Sequence, residues 1–199
     1  ASSGFTIIET MLFLAVTGAL LIGIMLTIGS TVSAQRYRDA VDSFKSLVQQ
    51  QYTDVNNIQN VRTNEFSCNT QGRVVAGTIL RGQSACVAVG KYMTIEGGAI
   101  RIYPVVAYEV PNAAEPADDI TSLTSTYRLN VTSIGMREDE MRWGTRIGFT
   151  SGNGANAADS NGSSPRALAI LFVRSPKTGQ MYTFTSNTVP VATSIASGT

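Results

Sequence analysis

The chain of 199 residues contains no histidine. That excludes His-based catalytic triads, His-ligated zinc and imidazole acid–base chemistry. It has two cysteines, Cys68 and Cys86, too few for a zinc site built from thiolates alone. It has little net charge: 15 basic residues stand against 14 acidic ones, and the twelve arginines are scattered rather than clustered. This balance speaks against a general nucleic-acid binder and against an acidic tail. Neither a Rossmann nor a phosphate-loop fingerprint is present, because Gly152-Asn153-Gly154 falls in a loop instead of between a strand and a helix. No cofactor and no metal site are expected. Glu138-Asp139-Glu140, beside Arg137 and Arg142, reads as a solvated turn and not as an acid–base pair set in a cleft. No catalytic residue is assigned, and the chain is not read as an enzyme. Trp143, the one tryptophan, could stack on single-stranded DNA with help from Arg and Tyr. Without residues 1–34, however, 15 basic and 13 acidic residues leave the rest at +2, too little charge to support that reading.

What is present begins near the start. Residues 10–35 are 26 consecutive uncharged positions, lying between Glu9 and Arg36. A helix needs about 20 predominantly apolar residues to cross a bilayer core, so this stretch is long enough to span one. It is too long for a secretory apolar region, and no basic segment precedes it. The chain therefore divides into a hydrophobic N-terminal helix, residues 1–34, and a head, residues 35–199. Proline is absent from the apolar stretch, while Gly18, Gly23 and Gly29 interrupt it. Each interior glycine costs about 1 kcal/mol of helix stability relative to Ala. They read as small residues that let helices approach closely.

Glu9 is the misfit. An unpaired carboxylate buried in hydrocarbon costs on the order of 3 kcal/mol or more. Either it sits at the headgroup level, facing water and the helix dipole, or it waits for a cationic partner in a packed apolar assembly. No cationic side chain lies within 25 residues of it along the chain.

The stretch Gly4-Phe5-Thr6-Ile7-Ile8-Glu9, followed by an unbroken apolar run and an amphipathic continuation, resembles the processing site of type IV prepilins and pseudopilins. The resemblance covers about residues 4–58. It implies that a prepilin peptidase cuts after Gly4 and methylates Phe5. It also implies that Glu9 pairs with the terminal amine of a neighbouring subunit during assembly, and that the helix unwinds in part between Gly18 and Gly29. Because Ala1-Ser2-Ser3 stands ahead of that cut, the mature terminus is expected at Ala1 or at Phe5. The implied partners are copies of the same chain in a helical filament, the peptidase, the pilus assembly platform with its ATPase, and the membrane before assembly. The surface of a host or partner cell is a further one. The implied localisation is the inner or cytoplasmic membrane, then a surface filament for adhesion or motility. A minor pilin, a secretion pseudopilin, a DNA-uptake pilin and a plain membrane-anchored domain share these features and stay open.

Beyond Ala34 the helix continues. Tyr37, Val41, Phe44, Val48, Tyr52 and Val55 recur at spacings of 4, 3, 4, 4 and 3, a helical stripe read as core of the head. One helix over residues 5–55 would be about 77 Å long. From about residue 61, short β-branched runs predict strands at 73–80, 85–95, 99–110, 125–134, 146–150, 168–174 and 180–185. Gly97-Gly98 reads as a hairpin turn and Pro176-Lys177-Thr178-Gly179 as a second tight turn. The expected fold class is α+β, with a long N-terminal helix set against an antiparallel meander. In an exported head, Cys68 and Cys86 read as a disulfide stabilising it by about 3 kcal/mol. Residues 111–119, with Glu115, Asp118 and Asp119, and residues 151–165 read as exposed loops suited to adhesion. The acidic one lacks the regular spacing of a calcium loop. Asn130-Val131-Thr132 and Asn161-Gly162-Ser163 match the glycosylation sequon.

Overall fold

The computed structural model describes residues 6–57, 66–69, 71–77, 83–114, 116, 118–147, 168–186 and 189, with backbone alone at 27, 30 and 66. The fold is α+β. Helix α1, Ile7–Asn56, runs unbroken for 50 residues. Three hydroxyl residues of its apolar half bond back within the helix: Thr10 Oγ1 donates to the Ile7 carbonyl (2.8 Å), Thr17 Oγ1 to that of Phe13 (2.8 Å), and Ser33 Oγ to that of Gly29 (3.1 Å). Such back-bonding lets Ser and Thr sit in an apolar helix without a stranded polar group.

Strands β1 (Phe66–Cys68) and β2 (Val74–Ala76) form a small antiparallel pair. The main sheet contains β3 (Cys86–Glu96), β4 (Ala99–Glu109), β5 (Tyr127–Val131), β6 (Arg137–Glu140), β7 (Leu168–Arg174) and β8 (Met181–Ser186). A short helix α2, Asp119–Ser125, precedes β5. The order is β5-β4-β3-β7-β8, with β6 also pairing β4, and every pair is antiparallel. The expected hairpin is there: Glu96 faces Ala99 across Gly97 and Gly98, both at positive φ. Glycine takes that conformation without penalty.

The sheet is not a simple meander. β7 returns to pair with β3, on the side opposite β4. At the crossing of these two strands a Cβ on Gly90 would lie 2.1 Å from the Phe172 carbonyl oxygen, so the close approach requires glycine. A bulge between Ala88 and Gly90 accompanies it.

One face of the sheet packs on α1. Met93, Ile95, Ile100, Ile102, Ile170 and Phe172 meet Val55, Phe44, Leu47 and Val48. The opposite face gathers Val89, Tyr92, Val105, Ala107 and Ala169, with Leu129 and Leu171 against them. The alternation of Ile100 and Ile102 with Tyr103, Val105 and Ala107 follows the period of two along a strand.

Three residues of the expected helical stripe, Phe44, Val48 and Val55, face the core, and the other three do not. Ala40, Gln51 and Val55 are the buried residues of α1, whereas Tyr37, Val41 and Tyr52 are 66%, 47% and 45% exposed. Apolar spacing cannot register Gln51. Gln51 is buried on that face, its amide oxygen accepting from Lys91 Nζ while its Nε2 is buried without a hydrogen-bond partner among the described residues, and Val41 and Tyr52 are turned to the flanks. Tyr37 precedes Ala40, the first residue of α1 to be buried.

Three further expectations change. Residues 137–140 form edge strand β6 in place of a turn, because β4 offers unpaired backbone opposite Ala99–Ile102 and alternating charges suit an exposed edge. Residues 119–125 form α2, so the strand expected from 125 starts at Tyr127. Residues 146 and 147 are not in a strand, and 148–150 lie outside the described residues.

Candidate functional site

The candidate site is α1 itself, above all its first half. From residue 7 to residue 39 no described side chain is buried. Ile7, Ile8, Met25 and Leu26 are each more than 70% exposed, and so much exposed apolar surface marks an interaction surface. The helix is long and apolar enough to cross a membrane. Glu9 sits in its first turn, exposed, where a negative charge complements the helix dipole. Gly4 and Phe5 lie outside the described residues.

Gly18, Gly23 and Gly29 lie within continuous helix, with nothing within 4 Å of where a Cβ would stand. On a 3.6-residue turn Gly18 and Gly29 share one face, while Gly23 points elsewhere. Around Gly23, the side chains of Val16, Ala19, Leu20, Ile24 and Ile28 line a shallow apolar groove.

The second half of α1 is joined to the sheet by polar ties that the sequence did not signal. Lys91 Nζ, on β3, donates to Asp54 Oδ2 (2.6 Å) and to Gln51 Oε1 (2.9 Å). Arg174 Nη1, at the end of β7, donates to the Asn56 carbonyl (3.0 Å), satisfying one of the open acceptors at the helix C-terminus. Nearer the apolar half, Trp143 Nε1 donates to Asp39 Oδ2 (2.6 Å), and the Arg36 guanidinium lies 5.2 Å from the centre of the Trp143 ring. Trp143 belongs to a single 3-10 turn, Arg142–Gly144, and has φ 60° and ψ 23°. Between α1 and β6 lies an open cavity of about 390 Å³, lined by Phe44, Leu47, Ile100, Arg137, Asp139 and Arg142 among others.

The acidic loop has a structural task. Asp118 caps α2, accepting from Thr121 N (2.8 Å) and Thr121 Oγ1 (2.5 Å). Asp119 accepts from Ser175 Oγ (2.7 Å), Thr178 Oγ1 (2.7 Å) and Tyr182 OH (2.9 Å). The Thr121 hydroxyl and amide hold the Asp118 carboxyl below the usual carboxylate range. The Ser175 hydroxyl, with those of Thr178 and Tyr182, does the same for Asp119. Desolvation, then the Asp119 hydrogen bond, pushes the Tyr182 phenol up. Glu115 and residues 151–165, including Asn161, lie outside the described residues. Asn130 is half-buried in β5, and its Nδ2 donates to the Gln71 carbonyl (3.2 Å).

Cys68 and Cys86 form a disulfide, with Cα atoms 5.7 Å apart, joining β1 to the start of β3. Among the described residues no group of three His, Cys, Asp or Glu side chains is placed to hold a metal. Comparison with protein-family models, with curated proteins and with solved structures gave no match in any of the three.

Proposed function

We propose that the chain is a type IV pilin-like subunit, anchored in a membrane by the first half of α1 and then polymerised into a helical filament. The observation that carries this reading is the division of one continuous helix. Its second half is built into the head, and its first half is bare, apolar and led by a lone carboxylate. In the filament the bare halves bundle into a core and the heads form the surface. Glu9 is neutral in effect when a neighbour's terminal amine meets it. A subunit docked at the wrong height leaves the carboxylate unpaired in a dry core, at a cost of several kcal/mol in order of magnitude, roughly as for any broken buried pair. Glu9 therefore sets the register.

The test is immunolabelled electron microscopy of material sheared from cells, comparing the native chain with Glu9→Ala. The native chain should give filaments labelled along their length. The variant should give few or none while its head still folds. Abundant normal filaments from the variant would remove the pairing role. Label at tips alone would point to a minor pilin. Antigen confined to the membrane fraction would leave a pseudopilin or a plain anchored domain.

A further inference from the structure

Trp143 is exposed, strained and placed at one particular height. A tryptophan at φ 60° is uncommon, and a conformation of this kind persists where the surroundings hold it. Here the holders are Arg36, stacked over the ring, and Asp39, bonded to the indole nitrogen. Trp143 nevertheless remains 59% exposed. Arg36 is the first charged residue after the apolar stretch, so the two residues that hold the ring, Arg36 and Asp39, stand within roughly 6 Å, along the helix axis, of the point where that stretch ends.

The helix also fixes where that point falls in a bilayer. From Glu9 to Arg36 there are 27 steps, about 40 Å of helix. A bilayer including its headgroup layers is about 40–45 Å thick. With Glu9 in one headgroup layer, Arg36 and Trp143 lie in the other. The surface around them has the composition of an interfacial belt. Trp143 and Tyr37 offer rings with an apolar body and a polar edge, which favour the headgroup level. Arg36, Arg38, Arg142 and Arg146 are exposed; Asp39 is already bonded to the indole, and Asp42, Asp139 and Glu140 line the adjoining cavity together with Arg137 and Arg142. Anionic headgroups attract basic side chains so placed.

We infer that the Arg142–Gly144 turn is a membrane-interface anchor of the head, seating Trp143 and the surrounding arginines on an anionic phospholipid surface. The inference rests on the reading of α1 as the membrane anchor. It gives the head a fixed height and tilt above the bilayer, with the strained turn as the foot on which it stands.

Because the chain has one tryptophan, its own fluorescence reports on this residue without substitution. The full chain is reconstituted in vesicles of phosphatidylcholine and phosphatidylglycerol carrying lipids brominated near the headgroup or deep in the tails. Shallow bromines should quench Trp143 strongly, by about twofold, as expected for an indole at the headgroup level, and deep bromines should do so weakly. In vesicles of phosphatidylcholine alone the shallow quenching should fall. A reporter chain, Phe13→Trp in a Trp143→Phe background, places the tryptophan on the apolar half. If the reporter is quenched by deep bromines and Trp143 by neither, the span stands and the anchor is overturned. If neither tryptophan is quenched, the membrane reading fails and the anchor with it. Equal quenching of Trp143 in both vesicle types overturns the anionic partner.

Discussion

Asp119 gathers three hydroxyl donors from the β7–β8 turn and from β8, and thereby holds α2 against the sheet. Ser175 is 2% exposed, so Asp119→Ala leaves a buried hydroxyl without its acceptor. A loss of about 1–3 kcal/mol is expected, read as a lower thermal midpoint at neutral pH. The sign with pH follows from the depressed carboxyl. Its stabilising effect is fully present above the usual carboxylate range and is lost as pH falls through the folded-state value. The midpoints of native and Asp119→Ala chains should therefore converge on acidification. Glu9 was legible in the sequence as a misfit, because one carboxylate in an apolar run needs no structure to be noticed. The role of Asp119 was not, since three partners from 175 to 182 are gathered only by the fold. Trp143 was noticed for its ring, but its contacts with Arg36 and Asp39 span more than 100 residues of sequence.

The elements divide in the same way. Helix α1 was predicted within two residues of its observed ends, and β7 at its observed bounds, because apolar runs and β-branched residues are local signals. The β3–β4 hairpin was announced by Gly97-Gly98. Strand β6 carries no such signal: Arg137, Glu138, Asp139 and Glu140 form a strand because β4 offers an edge. Arg101 then bridges Glu96 (3.3 Å) and Glu138 (3.1 Å) on the exposed side, a contact of small energetic weight in water. The pairing of β7 with β3 is likewise non-local. The disulfide stands apart from both groups, since export alone predicted it. Replacing Cys68 and Cys86 by Ser together should lower stability by about 3 kcal/mol. Circular dichroism and thermal unfolding, with and without reductant, check this. The native chain in reductant should match the double variant, with the main sheet retained in both.

At the scale of the whole molecule, one face of the sheet is closed by the second half of α1, which supplies Phe44, Leu47, Val48 and Val55 to the core. Removing residues 1–34 should therefore leave a folded head that is soluble and monomeric, whereas the full chain requires detergent or lipid. Size-exclusion chromatography with light scattering separates the two outcomes, and aggregation of the truncated chain would count against the division at residue 34. Truncation at residue 56 should instead destroy the head, because it strips the apolar face of the sheet and leaves Lys91 without Asp54 and Gln51.

The continuity of α1 also has a mechanical consequence. Between the bare half and the head there is no joint, for the same helical backbone passes from one into the other. Tension on the head enters the shaft through contacts spread from Arg36 and Asp39, which meet Trp143, to Asn56, which meets Arg174, aligned along the line of pull. Such contacts are loaded together in shear, not opened one after another like a zipper. Pulled along its helix axis, the molecule should give one abrupt rupture in force spectroscopy. Pulled across that axis, it should come apart at lower force and in steps.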